Sequence, residues 1–202
     1  MQIDPEQLNT RDMYTWMVNS VLPRPIAWVS TRSASGVNNL APFSFFNAVC
    51  ARPPTLMFCP SHDRHGRPKD TYRNVEETRE FVVNLAPWSL LEALNATAAS
   101  LPPEESEFER FGIEAAPSHR VAAPRVARAS ISFECTLDRI IAFSEGPAAG
   151  HAVFGRIVWV HVNDDVLGAD GWPDVHRMNP IGRLGGNNYA KVGAIQSLER
   201  PL

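Results

Sequence analysis

A chain of 202 residues can bury a full core, and a single domain over residues 1–202 is expected. A formal net charge of −3 and a pI near 6.1 exclude a broad nucleic-acid surface and leave only local cationic clusters, suited to small anions. The three cysteines, Cys50, Cys59 and Cys135, are an odd count in or beside apolar runs, which predicts buried free thiols in a reducing compartment.

The N-terminus carries Asp4 and Glu6 with neither a basic leader nor an apolar stretch behind it, and no apolar run approaches bilayer length. A soluble, cytoplasmic protein without a membrane segment is expected. Residues 1–22 read as a helical extension: after a capping Thr10, Met13, Trp16, Met17 and Val21 recur at helical spacing until Pro23 and Pro25 end the run. Ile26 to Thr31 predicts a strand, Ser33 to Gly36 a turn, and Val37 to Val49 the return arm of a hairpin. Pro42 removes a ladder donor from that arm, so it marks an edge, a bulge or a barrel corner.

Within the arm, Ser44 and Asn47 interrupt the aromatic run Phe43, Phe45, Phe46. A buried hydroxyl or amide without a partner costs about 1–3 kcal/mol, so these groups are either paired internally or offered to a ligand. Thr55 to Cys59 is a short buried strand, and the loop from Ser61 to Lys69 then collects Arg64, Arg67 and Lys69 with His62 and His65. It runs into a helix-compatible segment that Asp70 or Thr71 can cap. A helix N-terminus presents unpaired amides and partial positive charge, so Arg67, Lys69 and Thr71 are the expected donors to a phosphate, with Asp70 capping the helix or orienting Lys69. The H-x-x-H spacing of His62 and His65 lacks two further ligands nearby and faces Arg64 and Arg67, so no metal site is expected.

Phe81 to Ala86 predicts a strand and Trp88 to Ala99 a helix closed by Pro102 and Pro103; residues 104–128 read as a polar surface excursion pinned by Phe108 and Phe111. Asn84 either caps the following turn or meets a ligand. From Ile131 to Ile141, Ile131, Phe133, Cys135 and Leu137 alternate with Ser132, Glu134, Thr136 and Asp138, giving one buried and one polar face. His151 to Val162 is an almost wholly apolar central strand beside it, with His151 and His161 as core or interface histidines and Trp28 and Trp159 as core. Strands joined by short turns, with helices only as insertions, predict a mainly β, antiparallel barrel. Neither GxGxxG, GxxxxGK[ST] nor GxSxG occurs.

The ordered set PRPIAWVST, NLAPFSFFN, PP-x-L-x-F-C, KDT-x-x-N and EFVVNL resembles the flavin reductase-like, FMN-binding split-barrel family, on the branch of the flavoredoxins and the reductase components of two-component monooxygenases. The resemblance implies a Greek-key split β-barrel, usually a homodimer, with FMN held non-covalently near the subunit interface. It places Ser44, Phe45 and Asn47, with Phe46 among them, along the isoalloxazine ring. Ser61, Arg67, Lys69 and Thr71, with Asp70 between, fall on the phosphate loop, and Arg183 and Tyr189 on a C-terminal segment at the cofactor or substrate side. The implied activity is NAD(P)H:flavin reduction, with NADH or NADPH as donor and a monooxygenase as one acceptor. The family's chemistry needs no catalytic acid or base from the protein, and none is nominated. The alternatives are an FMN electron carrier without nicotinamide activity, or a split barrel that binds haem or a deazaflavin.

Overall fold

The structure, a computed structural model, describes residues 1–201. Its elements in chain order are α1 (Thr10–Ser20), β1 (Ala27–Arg32), β2 (Asn38–Phe43), β3 (Phe46–Ala51), β4 (Pro54–Phe58), α2 (Asp70–Thr78), β5 (Glu80–Leu85), α3 (Leu91–Ala96) and α4 (Glu107–Arg110). These are followed by β6 (Ala115–Ala116), β7 (Arg125–Val126), β8 (Ile131–Ala142), β9 (His151–Val162), α5 (Val175–Met178), β10 (Gly182–Arg183) and β11 (Tyr189–Ala190). Seven strands form one antiparallel sheet in the order β2-β1-β5-β8-β9-β4-β3.

The expected return arm from Val37 to Val49 is therefore two strands, and they lie at opposite edges of the sheet. Only Ser44 and Phe45 separate β2 from β3, so the sheet must curl until its edges meet: this is the closure of the split barrel. Pro42 sits opposite Trp28 on the edge strand β2, where a missing donor is tolerated.

The barrel interior is built by side chains alternating along the strands, among them Ala27, Val29, Phe43, Leu56, Phe58, Phe81, Val83, Cys135 and Val153. Gly155 makes room for the buried Phe81 ring: a Cβ there would lie 2.2 Å from Phe81 Cζ. The opposite face of β1 is buried as well. Trp28, Leu40, Leu90, Leu94, Phe108 and Val126 form a second cluster under the segment that follows β5. The stretch 104–128 is thus more than a surface excursion; Phe108 anchors it as expected, whereas Phe111 is only half-buried. The helix expected from Trp88 to Ala99 is a short 3-10 turn followed by the six-residue α3.

Other expectations change with the tertiary fold. α1 is capped by Asn9 rather than Thr10, and of its apolar residues Val18 is buried while Trp16 and Met17 are exposed, as is Val21 just beyond it. The polar face of β8 is solvated only toward its far end: Ser132 and Glu134 are buried, Thr136 is half-buried and Asp138 exposed. Trp28 is core, but Trp159 is 37% exposed. Of the cysteines, all free, Cys135 is buried, Cys59 half-buried and Cys50 exposed. Burial pushes the Cys135 thiol far up, as expected of an inert core thiol. Asn84 neither caps a turn nor faces a cleft. Its side chain donates to the Trp28 carbonyl (2.9 Å) and Ser30 Oγ (3.1 Å) and accepts from Val126 N (2.9 Å) and Ser132 Oγ (2.9 Å). It is a fully buried strut joining β1, β5, β7 and β8.

Candidate cofactor site

The closing junction at Ser44 and Phe45 is held by a residue that the sequence does not single out. Arg24 is 5% exposed, and its guanidinium donates to the carbonyls of Val18 (2.7 Å), Val21 (3.1 Å) and Leu184 (3.1 Å) and to Ser44 Oγ (3.3 Å). Ser44 is thus paired internally, and one cation ties α1, the barrel closure and the C-terminal segment together. Phe45 faces Tyr14 at 6.3 Å between ring centroids. Asn47 lies on the exposed β3, and Phe46 turns to an apolar cleft of about 500 Å³ shared with Pro25, Ile26, Leu85, Ile181 and Val192.

On the other side of the junction lies a more polar cleft of about 340 Å³, between β2, the start of α2 and residues 97–103. Asn39 and Phe43 contribute from β2, and Arg67, Lys69, Asp70 and Thr71 from the loop and helix. The N-cap position of α2 is Lys69, not Asp70 or Thr71, and no side chain caps it. The amides of the first turn therefore keep their hydrogen-bonding capacity beside the cleft. Thr71 is buried, and its hydroxyl accepts from Asn39 Nδ2 at 2.9 Å, which leaves its own proton to donate. Lys69 is exposed in area, yet its ammonium stands 5.9 Å from the Phe43 ring centroid, and desolvation holds its pKa below the ordinary lysine value. Uncapped amides, a free hydroxyl proton and a partly desolvated cation converge on one cleft, a donor set that fits a phosphate.

The remaining expected residues divide. Asp70 pairs with Arg73 one turn on, so it neither caps the helix nor orients Lys69. Arg67 lines the cleft but spends one edge on Asp63, Nε to Oδ2 at 2.9 Å. The amide of Arg67 first, and then its guanidinium and the His65 amide, hold the Asp63 carboxyl down at about 2. Ser61 is exposed and bridges to Gly150 instead of lining the cleft. Arg183 and Tyr189 pair with each other across β10 and β11, the guanidinium 4.5 Å from the ring, and Tyr189 Oη donates to Asn95 Oδ1 at 2.9 Å. They do not line this cleft.

Glu107 at the start of α4 lines the cleft without any signal in the sequence. Its Oε2 accepts from Leu40 N at 2.9 Å, satisfying a donor on the edge strand, and burial pushes its carboxyl up. Among the described residues no group of three or more His, Cys, Asp or Glu side chains is placed to hold a metal ion, and no helix is long and apolar enough to cross a membrane.

An uncharacterised protein of Halalkalibacterium halodurans is 40% identical over 203 residues, covering 100% of this chain and 97% of the relative. The crystal structure of nitrilotriacetate monooxygenase component B from Bacillus cereus superposes with a TM-score of 0.92 at 38% identity, covering 98% of both chains. That of the 2-nitrobenzoate 2-nitroreductase NbaA from Pseudomonas fluorescens gives 0.86 at 31% identity, covering 100% of this chain and 96% of the other. The profile of the flavin reductase like domain matches residues 18–177, from the end of α1 through the barrel to α5. With the curled antiparallel sheet and the phosphate-compatible cleft, this match shows that the chain belongs to the flavin reductase-like split-barrel family.

Proposed function

We propose that the protein binds FMN and acts as an NAD(P)H:flavin oxidoreductase that supplies reduced flavin, or electrons, to a separate monooxygenase. The observation that carries this reading is the cleft at the uncapped start of α2, where Lys69, Thr71 and the first-turn amides converge. The full-length likeness to a monooxygenase component B supports the assignment of the acceptor. When bound, FMN supplies the hydride chemistry; the protein supplies binding and orientation. Lys69 and the α2 amides hold the phosphate, the Thr71 hydroxyl donates while Asn39 fixes its direction, and Arg24 keeps Ser44 and the barrel closure in place. Ser44, Phe45, Phe46 and Asn47 border the ring side of the site, with the apolar cleft beside Phe46 available to a flat partner.

The test is fluorescence titration with FMN followed by steady-state oxidation of NADH and of NADPH with FMN present. Micromolar or tighter binding with turnover of either nicotinamide is expected. FMN binding with reduction only by a protein donor would select an electron carrier instead. An absence of FMN binding would overturn the proposal.

A second reading is favoured by the likeness to NbaA: the flavin stays bound and reduces an organic substrate on the same protein. Retention of stoichiometric FMN through turnover, with consumption of an added nitroaromatic, would select it.

A further inference from the structure

Two histidines lie stacked behind the phosphate loop. The rings of His62, in the loop, and His151, the first residue of β9, are 4.4 Å apart between centroids and tilted by 30°. Tyr72 on α2 covers both, at 5.7 Å from His62 and 4.7 Å from His151. His151 is 5% exposed, and both ring nitrogens of His62 together with Nδ1 of His151 are buried without a hydrogen-bond partner among the described residues. Such groups are costly to keep in a fold.

The same two residues sit where the loop is fastened to the barrel. His62 N donates to the Ala149 carbonyl (2.9 Å), His151 N to the Pro60 carbonyl (3.2 Å) and Ala148 N to the Asp63 carbonyl (3.2 Å), and Ser61 bridges to Gly150. Beyond this fastening the loop turns through Asp63 and Arg67 to Lys69 and the cleft. Two imidazoles at this separation cannot both be charged, and one charged ring would be a desolvated cation held against its neighbour.

We propose that the His62–His151 pair is a proton-sensitive clasp on the loop 61–69: closed while both rings are neutral, loosened when the pair takes up a proton, and so releasing a phosphate-bearing ligand at mildly acidic pH. The release part rests on the phosphate reading above; the clasp itself does not.

The charged groups around the pair set the direction. Burial lowers the pKa of His151 most and the charge of His62 lowers it further, while the Ala149 carbonyl and the Glu76 carboxylate on α2 oppose this; the net shift is downward. Tyr72 stays neutral here, since burial, with Glu76 adding to it, raises its pKa. Asp63 is occupied by Arg67 and the loop amides and does not balance a ring cation. A histidine lowered in the closed state favours closure fully above its ordinary value of 6.5, and that contribution falls away as pH drops below 6.5 toward the lowered value.

Amide hydrogen exchange across residues 60–67 and 147–151 of the flavin-free protein, corrected for intrinsic rate, tests the clasp at pH 7.5 and 5.5. Protection is expected to fall by up to about tenfold, the ceiling set by one unit of pH below the ordinary histidine value. His151→Phe, which keeps a ring in place of the imidazole that burial holds down, should flatten most of that dependence. Should this variant fold poorly, NMR titration of the His151 imidazole in the unaltered protein serves instead, and its titration below 6.5 in step with the exchange change supports the clasp. Equal protection at both pH values, or the same loss in the variant, overturns it. FMN affinity is followed separately over the same range: the phosphate's own titration is common to both proteins, so only the difference between wild type and His151→Phe counts. If FMN does not bind at any pH while the exchange dependence is present, the flavin reading fails and the clasp stands.

Discussion

Lys69 and Thr71 reach the cleft from neighbouring positions of one turn, but they differ in kind. Lys69 brings a charge whose desolvation is a standing cost until an anion arrives, and Thr71 brings a single proton oriented by Asn39. A charge-assisted hydrogen bond contributes about 1.5–3 kcal/mol, so Lys69→Ala should weaken FMN about ten- to a hundredfold. Thr71→Val, losing a neutral bond, should weaken it less, by about threefold to tenfold. Fluorescence titration reads both, and unchanged affinity in both would refute the phosphate assignment. Asn84 makes the opposite case, a polar residue whose work is structural. Asn84→Ala strips partners from Val126 N and Ser132 Oγ inside the core, and urea unfolding should show a loss of about 2–4 kcal/mol. FMN affinity of the folded Asn84→Ala protein should stay within about twofold, since no contact of Asn84 reaches the cleft.

At the scale of elements, the segment between β5 and β8 is held down by carboxylates rather than by apolar residues alone. Glu134 on β8 is fully buried and accepts from the amides of His119 (2.6 Å), Arg120 (2.5 Å) and Val121 (3.2 Å) and meets His161 Nε2 at 2.5 Å. Above it, His119 and Arg120 pack on the half-exposed Trp159 at 4.1 and 5.5 Å. Burial pushes the Glu134 carboxyl up, but the His119 amide, His161 and the Arg120 amide together outweigh it, and the net pKa lies below the ordinary value of 4.5. A carboxyl lowered in the folded state stabilises above its unfolded value, and the stabilisation is lost as pH falls through the folded one. Acid should therefore free the segment around residues 117–123 below pH 4.5, visible as new proteolytic cleavage there before global unfolding. Glu134→Gln should lose about 1.5–3 kcal/mol at neutral pH, because charge-assisted hydrogen bonds from three amides become neutral ones, and should show little further loss in acid.

Taken as a whole, the molecule leaves many large apolar side chains exposed. Trp16, Met17, Val21 and Leu22 at the first helix, and Val158, Val160 and Val162 on β9, are all accessible. Apolar residues on an otherwise polar surface are interface material, and we propose a second copy of this chain as their partner. Light scattering after size-exclusion chromatography should give twice the chain mass, and Trp16→Glu combined with Val160→Glu should give the single-chain mass. A monomeric wild-type protein would exclude the dimer. The helical stripe expected of α1 is real, but periodicity cannot tell which body covers it.

The β class, a proline confined to an edge, a bulge or a barrel corner, and the cationic loop that leads into a helix were legible in the chain alone, because each is written in residues close together along it. Pro42 lacks its donor wherever it lies, and Lys69, Asp70 and Thr71 stand at a helix start as soon as the helix forms. The order of motifs around them was enough to indicate the family. Every pairing made as the sheet curls belongs instead to the tertiary fold. The break at Ser44 and Phe45 exists because two edges must meet there. Arg24 reaches Leu184, Glu107 reaches Leu40 and His62 stacks on His151 only once the sheet has curled. The alternation along β8 put Glu134 on the polar face, and a loop folded over that face buried it. Local pattern reports the direction in which a side chain leaves the backbone; what it meets there is set by segments dozens of residues away.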